Sequence, residues 1–433
     1  MIIGKLVNIN RLRIKIMGLL LLFGFNNNAF AQCDSALVRF LSEKYDVNFS
    51  DNNRMVIFKN GEEKFRDMFE AIRQAKSTVH LEYFNFRNDS VSACLFDILA
   101  EKVKQGVKVR ALFDGFGNSS NNRPLKEYHL KKLHEQGIEI YEFDKVKFPW
   151  VNHVFNRDHR KIVVVDGMTA YTGGMNVADY YVVGKPEFGD WRDIHVRVEG
   201  EVVNDLQKIF VDFWNKVTKQ QVSGDTLFLA DEGLKREFNN LKQDTCSSAG
   251  KKIIGVVDRV PNKTPKIIRQ TFVKCIDNAE KQIQVINPYF TLNRKIRRAF
   301  RRALKRGIDV QIMVSATSDI PVTPRAVEHE VHRLMKKGAK VYMYTGGFHH
   351  SKIMMVDSCM SFIGSANLNS RSLSWDYECN LLIADRPTTL ALQQIFEEDK
   401  QTRCFVLDEK AWKSFSKSRR FQCWIYQFLT PFL

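Results

Sequence analysis

The hydrophobic pattern of this chain occurs twice. Ala71-Ile72-Arg73-Gln74-Ala75 closes a helical stretch and feeds the strand-like run Val79 to Phe84, while Cys275-Ile276-Asp277-Asn278-Ala279 closes another and feeds Ile283 to Phe290. A further helical stretch follows in each copy, then Gly106-Val107-Lys108-Val109 in the first and Gly307-Ile308-Asp309-Val310 in the second. Another helix ends at Gly137 or at Gly338, so both glycine pairs stand 201 positions apart. Glycine after a helical run is the expected left-handed cap, and the β-branched run behind it reads as a buried strand. Helix and strand thus alternate through two copies. This predicts an α/β fold of two pseudo-symmetric α/β/α sandwich domains, each built on a mixed sheet.

At 433 residues and 44% hydrophobic, the chain is long enough for two cores. The first repeat is expected over 50–217 and the second over 252–433, with 218–251 as a linker and a boundary near Gly250. That linker carries Ser223-Gly224-Asp225, an acidic helical stretch and Cys246-Ser247-Ser248-Ala249-Gly250.

Two segments break the balance of charge and hydrophobicity. Arg294 to Arg306 reads as an amphipathic helix with Ile296, Ala299, Phe300, Ala303 and Leu304 at core spacing and an almost wholly cationic opposite face. Its counterpart, Asp97 to Lys104, balances Asp97 and Glu101 against Lys102 and Lys104, so the fold does not demand such charge. A solvated face and an anionic-lipid surface both suit it, and lipid headgroups are the preferred partner. Arg419 to Leu429 mixes basic with aromatic residues, as a segment lying on a membrane surface or a helix packed on the core would.

Composition adds a direction. Lys and Arg number 66 against 49 Asp and Glu, a formal charge of +17 that favours partners bearing phosphate. At the N-terminus, Lys5, Arg11, Arg13 and Lys15 precede the apolar run Ile16 to Phe25, then Ala29-Phe30-Ala31. That run is far short of the roughly 20 residues a membrane span needs. It reads as a signal peptide over 1–31, cleaved after Ala31, with export to the outer (periplasmic, if bacterial) face of the cell membrane. An uncleaved anchor, or a lipid-modified Cys33, is the competing reading. The eight cysteines are scattered without metal-ligand spacing and read mostly as buried thiols.

The chemistry is duplicated with the fold. His159-Arg160-Lys161-Ile162-Val163-Val164-Val165-Asp166 and His350-Ser351-Lys352-Ile353-Met354-Met355-Val356-Asp357 share the pattern H-x-K-x-x-x-x-D, 191 positions apart. Each is followed by a glycine-bearing turn with an asparagine, Gly173-Gly174-Met175-Asn176 and Gly364-Ser365-Ala366-Asn367, at the same offset. Side chains two apart on a strand share a face, so each histidine points with its lysine. The turn lets backbone and asparagine amide approach a phosphate oxygen, and lysine supplies the charge. A lone His near a Lys is ordinarily structural; an eight-residue pattern recurring in register with an independent repeat is not.

These motifs resemble the paired HKD signatures of the phospholipase D superfamily, from about Asn60 to the C-terminus. The runs Arg157-Asp158-His159-Arg160-Lys161, Trp191-Arg192-Asp193 and Asn367-Leu368-Asn369-Ser370-Arg371-Ser372, followed by Glu378, are similar to its bacterial cardiolipin synthases. The resemblance implies an active site at the interface of the two sandwiches and a phosphatidyltransferase acting through a covalent phosphatidyl-histidine, with His159 as nucleophile and His350 as acid and base. The sequence itself is nearly symmetric and leaves that order open.

Lys161, Lys352, Asn176 and Asn367 are expected on the phosphate; Asp193 and Glu378 are candidates to orient the histidines. Asp166 and Asp357 count with the motif's catalytic residues but are expected to brace it; His153 and His349 are peripheral, and Phe58, Phe65, Phe69 and Phe84 read as core. No cofactor and no metal is expected. The substrate is expected to be an anionic phospholipid at a membrane surface, with no nucleic acid and a monomeric active unit. Hydrolysis to phosphatidic acid uses the same residues with water as acceptor; a nuclease often carries one motif per chain, and a non-catalytic lipid binder would have lost a His or Lys. Many cardiolipin synthases begin with longer hydrophobic spans than this chain.

Overall fold

The structure is a computed structural model describing residues 36–147, 154–224, 227–228 and 252–430. The predicted signal peptide, Cys33, His153, Cys246 and the boundary near Gly250 lie outside these residues. The chain forms two compact units, one ending at Asp46, in which 36–45 is helical, and one beginning at Val47 that holds both repeats.

Each repeat folds around its own sheet, and the two sheets share one strand order. The first runs Asn53–Phe58, His195–Gly200, Thr169–Gly173, Ile162–Val165, Thr78–Tyr83, Lys108–Asp114, Glu139–Phe143. The second runs Ile253–Arg259, Glu378–Ala384, Met360–Gly364, Ile353–Val356, Gln282–Ile286, Asp309–Ser315, Lys340–Tyr344, with Phe49–Ser50 and Cys404–Val406 added at its edges. In both, the first four pairings are antiparallel and the last two parallel. Phe49–Ser50 precedes the first repeat in sequence yet pairs with Ile253–Arg259, so one short strand ties the start of the first repeat to the second sheet.

The predicted glycine caps stand where the pattern put them. Gly106, Gly137, Gly307 and Gly338 all have positive φ, from 81° to 102°, directly after their helices. The second strand ends at Ile286, short of the expected Phe290, because Pro288 has no amide for the ladder.

Helices Gly61–Gln74 and Ser90–Lys104 cover one face of the first sheet through Phe65, Met68, Leu95 and Leu99. Helix Val202–Thr218 lies on the other face and reaches Ile253–Arg259 of the second sheet. One cluster of buried side chains accordingly runs through both repeats, joining Ile162, Val164, Val196 and Leu206 to Ile254, Ile286, Met355 and Leu381. Four of the six described cysteines, Cys275, Cys359, Cys379 and Cys423, are buried. Among the described residues, no helix is long and apolar enough to cross a membrane.

Candidate active site

Two short backbone pairings between the repeats build the site. Trp191–Arg192 of the first repeat pairs in parallel with Phe348–His349 of the second, and the amide of His350 donates to the carbonyl of Arg192 at 2.7 Å. At the equivalent place, Asp158 bridges Tyr377, and the amide of His159 donates to the carbonyl of Tyr377 at 3.0 Å. The next residue along each pairing is then a histidine of one repeat facing a carboxylate of the other.

The side chains meet accordingly. His350 Nδ1 lies 2.7 Å from Asp193 Oδ2, and His159 Nδ1 lies 3.2 Å from Glu378 Oε2. Asp193 and Glu378 are therefore the histidine partners that the sequence proposed, but crossed between repeats. Each carboxylate is fully buried and further held: Asp193 accepts from the amide of Ile194 at 2.8 Å, and Glu378 accepts from the hydroxyl of Ser365.

Each motif lysine folds back over its histidine. Lys161 Nζ donates to the carbonyl of His159 and Lys352 Nζ to that of His350, with Lys352 Nζ also 2.9 and 3.0 Å from the two ring nitrogens of His350. The two half-sites sense one another: Lys352 depresses the pKa of both His159 and Lys161.

Burial and like charge dominate the electrostatics. Burial, with the neighbouring Lys161, holds His159 at about 4, although Glu378 opposes this. His350 is lowered by burial and by Lys352, against the pull of Asp193. Burial brings Lys161 down to about 7 and Lys352 to about 8. Burial pushes the two carboxylates up but is outweighed. Lys352 and His350 take Asp193 to about 2, and His159 and Lys161 take Glu378 to about 2. The resting cluster thus has neutral imidazoles, fixed anions and two ammonium groups whose charge is held weakly until an anion arrives.

Asn176 and Asn367 are buried, and the Oδ1 of each has no partner among the described residues. The glycines of the first turn also have a task that the sequence did not suggest. A Cβ at Gly174 would sit 2.4 Å from Asp193 Oδ1, and one at Gly173 would sit 2.7 Å from His195 Nδ1, so the turn makes room for protein side chains.

Asp166 and Asp357 are not at the site. Asp166 accepts from the amides of Lys76, Ser77 and Thr78, and Asp357 from those of Glu280, Lys281 and Gln282, at 2.7–2.9 Å. Each sits at the far end of its strand, roughly 16 Å from the motif lysine at strand rise, with positive φ of 52° and 51°. They brace the turn into the neighbouring strand. His349 is buried beside Asp399, 3.3 Å away, and contributes backbone only.

Phe58, Phe65 and Phe69 are core, but Phe84 is not: its ring packs edge-on against His159 at 5.0 Å. The sequence also gave no notice of the aromatic collar around His350, where Phe348, Trp191 and Tyr289 lie 5.5, 5.7 and 5.9 Å away between ring centres. Their spacing is that of ordinary strand and loop aromatics, and only the packing of the repeats gathers them. Beneath the first motif, the buried Arg160 grips Asp258 of the second repeat at 2.9 and 3.1 Å and Glu82 at 3.1 Å.

Comparison with known proteins agrees with this geometry. The family model described as cardiolipin synthase, PLD-like domain, matches residues 68–214 and 272–400, one stretch in each repeat. The chain is 33% identical over 356 residues to the probable cardiolipin synthase YwiE of Bacillus subtilis, covering 82% of this chain and 67% of that one. It is 33% identical over 369 residues to cardiolipin synthase 1 of Bacillus cereus, covering 85% and 70%. The crystal structure of phosphatidylserine synthase from Haemophilus influenzae superposes with a TM-score of 0.69 at 16% identity, covering 92% of this chain and all of that one, and so shares the fold. Two HKD half-sites, interleaved across paired sheets and matched one to each repeat, place the chain in the phospholipase D superfamily, as a member of the cardiolipin synthase family with PLD-like domains.

Proposed function

We propose that this protein is a cardiolipin synthase, joining two phosphatidylglycerol molecules into cardiolipin with release of glycerol. The observation that carries this reading is the crossed pair of histidine–carboxylate contacts, which gives a single chain two oriented imidazoles on one cluster. A hydrogen bond at Nδ1 leaves Nε2 to carry the lone pair or the transferable proton.

In the first step His159 Nε2 attacks phosphorus of one phosphatidylglycerol. The bond from phosphorus to the glycerol oxygen breaks, and that oxygen takes a proton from His350. In the second, a glycerol hydroxyl of another phosphatidylglycerol gives its proton back to His350 and attacks phosphorus, and the phosphorus–nitrogen bond breaks. Lys161 and Lys352, with Asn176 and Asn367, hold the phosphoryl oxygens as negative charge grows there. The unequal settings support this order. His159, held at about 4, is a free base at neutral pH; His350, neutral at rest, takes up its proton as the phosphodiester binds, and its shorter carboxylate contact favours that charged form.

The substrate lies in a membrane surface, and the basic stretch followed by Ile16 to Phe25 supports export to its outer face. Mass measurement of the mature N-terminus tests cleavage after Ala31. Incubation with phosphatidylglycerol is expected to give cardiolipin and glycerol in equal amounts, with enzyme rapidly denatured at neutral pH carrying a phosphatidyl group on the His159 peptide. The His159→Ala and His350→Ala variants should each lose at least about a thousandfold in rate. Phosphatidic acid as the sole product would overturn the reading in favour of hydrolysis.

A further inference from the structure

Two exposed features of the second repeat play no part in the site, and both are held by one helix. Helix Arg294–Lys305 buries Ile296, Ala299, Phe300 and Ala303 and turns Arg294, Lys295, Arg298, Arg301, Arg302 and Lys305 to solvent. Among the described residues, only Arg302 of these meets a carboxylate, Asp277, at 2.7 and 2.9 Å. Arg298, Arg301, Arg302 and Lys305 line a shallow hollow. Solvation alone does not call for this: in the matching helix of the first repeat, Lys104 is paired with Glu101 at 2.6 Å.

The C-terminal helix Lys417–Tyr426 is amphipathic the wrong way round. Its inner side is polar: Arg419 pairs with the buried Glu328 at 2.7 and 3.1 Å, and Cys423 lies 3.3 Å from the same carboxylate. Its outer side, continued by the 3-10 turn Gln427–Leu429, is Phe421, Trp424, Ile425, Phe428 and Leu429, with the three aromatic residues 58%, 52% and 63% exposed. Trp424 stacks on Phe421 and meets Phe428 edge-on, so the stripe is ordered while facing water. Such a stripe costs hydration free energy unless something apolar covers it.

Helix Thr323–Met335 joins the two features. On one flank its Glu330 holds Arg297 at 2.6 and 2.7 Å, and on the other its Glu328 holds Arg419. The cationic helix also begins directly after the segment that carries Tyr289, which lies against His350.

We propose that this composite face, the cations of Arg294–Lys305 beside the aromatic stripe of Lys417–Leu429, docks the protein on an anionic phospholipid surface. The choice of partner rests on the phospholipid substrate proposed above. Cations beside aromatic and aliphatic side chains fit the boundary between headgroups and acyl chains. Ile425 and Leu429 offer nothing to a nucleic acid, whose bases stack on aromatic rings but whose backbone meets only the cations.

The test uses the full chain with phosphatidylcholine vesicles, with and without phosphatidylglycerol. Two variants are compared: Arg298→Gln/Arg301→Gln/Lys305→Gln and Trp424→Ser/Phe428→Ser. The first should weaken partitioning onto phosphatidylglycerol vesicles on the order of a hundredfold, at about fivefold per cation lost, and leave the phosphatidylcholine baseline alone. The second should weaken binding to both compositions and abolish the part of the tryptophan blue shift that Trp424 supplies. Both should melt as the parent does and turn over dispersed short-chain phosphatidylglycerol at the parent rate. Unchanged vesicle partitioning in both variants would overturn the proposal, as would tighter binding to single-stranded DNA than to vesicles, lost with the same cations. If the parent fails to make cardiolipin while the partitioning results stand, the catalytic reading falls and the docking face does not.

Discussion

Asp193 Oδ2 sits 2.7 Å from His350 Nδ1, and the two residues come from different repeats. Because Glu378 and His159 repeat the arrangement in the opposite sense, neither half of the chain holds a complete acid–base pair of its own. The two halves therefore complete one site between them, and in the proposed mechanism the carboxylates act by fixing tautomer and ring orientation.

Asp193→Asn and Glu378→Gln keep shape and remove the acceptor charge. Each is expected to lower kcat by about two to four orders of magnitude with little change in KM for phosphatidylglycerol, because a misoriented imidazole still leaves the phosphate seat intact. A loss confined to KM would show that these carboxylates contact substrate instead.

Gly174→Ala places a Cβ 2.4 Å from Asp193 Oδ1, and the carboxylate must move off His350. A displacement of this size should cost on the order of a hundredfold in kcat. At the equivalent position Ser365→Ala removes a hydroxyl that donates to Glu378 and accepts from the amide of Cys379 at 3.0 Å, without crowding the carboxylate, and should cost much less. Equal rates for Gly174→Ala and the parent would show that Asp193 has room to spare.

The pH profile follows from the buried groups. In the free enzyme, kcat/KM should rise through about 4 as His159 loses its proton. It should fall as His350, also lowered from the usual imidazole range, loses the proton it must donate, and fall further above about 7 to 8 as Lys161 and Lys352 lose theirs. A bound phosphodiester favours the ammonium forms, so the alkaline limb of kcat should lie at higher pH than that of kcat/KM. An alkaline limb shared by both, or absent below pH 10, is the outcome that excludes weakly held lysines.

Arg160 carries the charge contact between repeats beneath His159. Replacing it with Met leaves Asp258 and Glu82 unpaired and should destabilise the fold by about 3 kcal/mol, read as a lower denaturant midpoint at unchanged slope. The fall should be smaller at low pH, where burial already favours the protonated carboxyls, both of which are raised.

Much of this protein was legible in its sequence, because the signals are local. Glycine at 106, 137, 307 and 338 caps helices wherever the rest of the chain goes, and the duplicated His and Lys must lead into similar strands. The sequence likewise named Asp193 and Glu378 as histidine partners. It did not say which carboxylate serves which histidine, since that depends on pairings between segments 157 and 219 positions apart. The packing of the repeats also decided that Phe84 leaves the core for His159, that Gly174 shelters a carboxylate, and that the C-terminal stripe faces outward. Periodicity fixes which side chains share a face; only the partner across that face fixes what they meet.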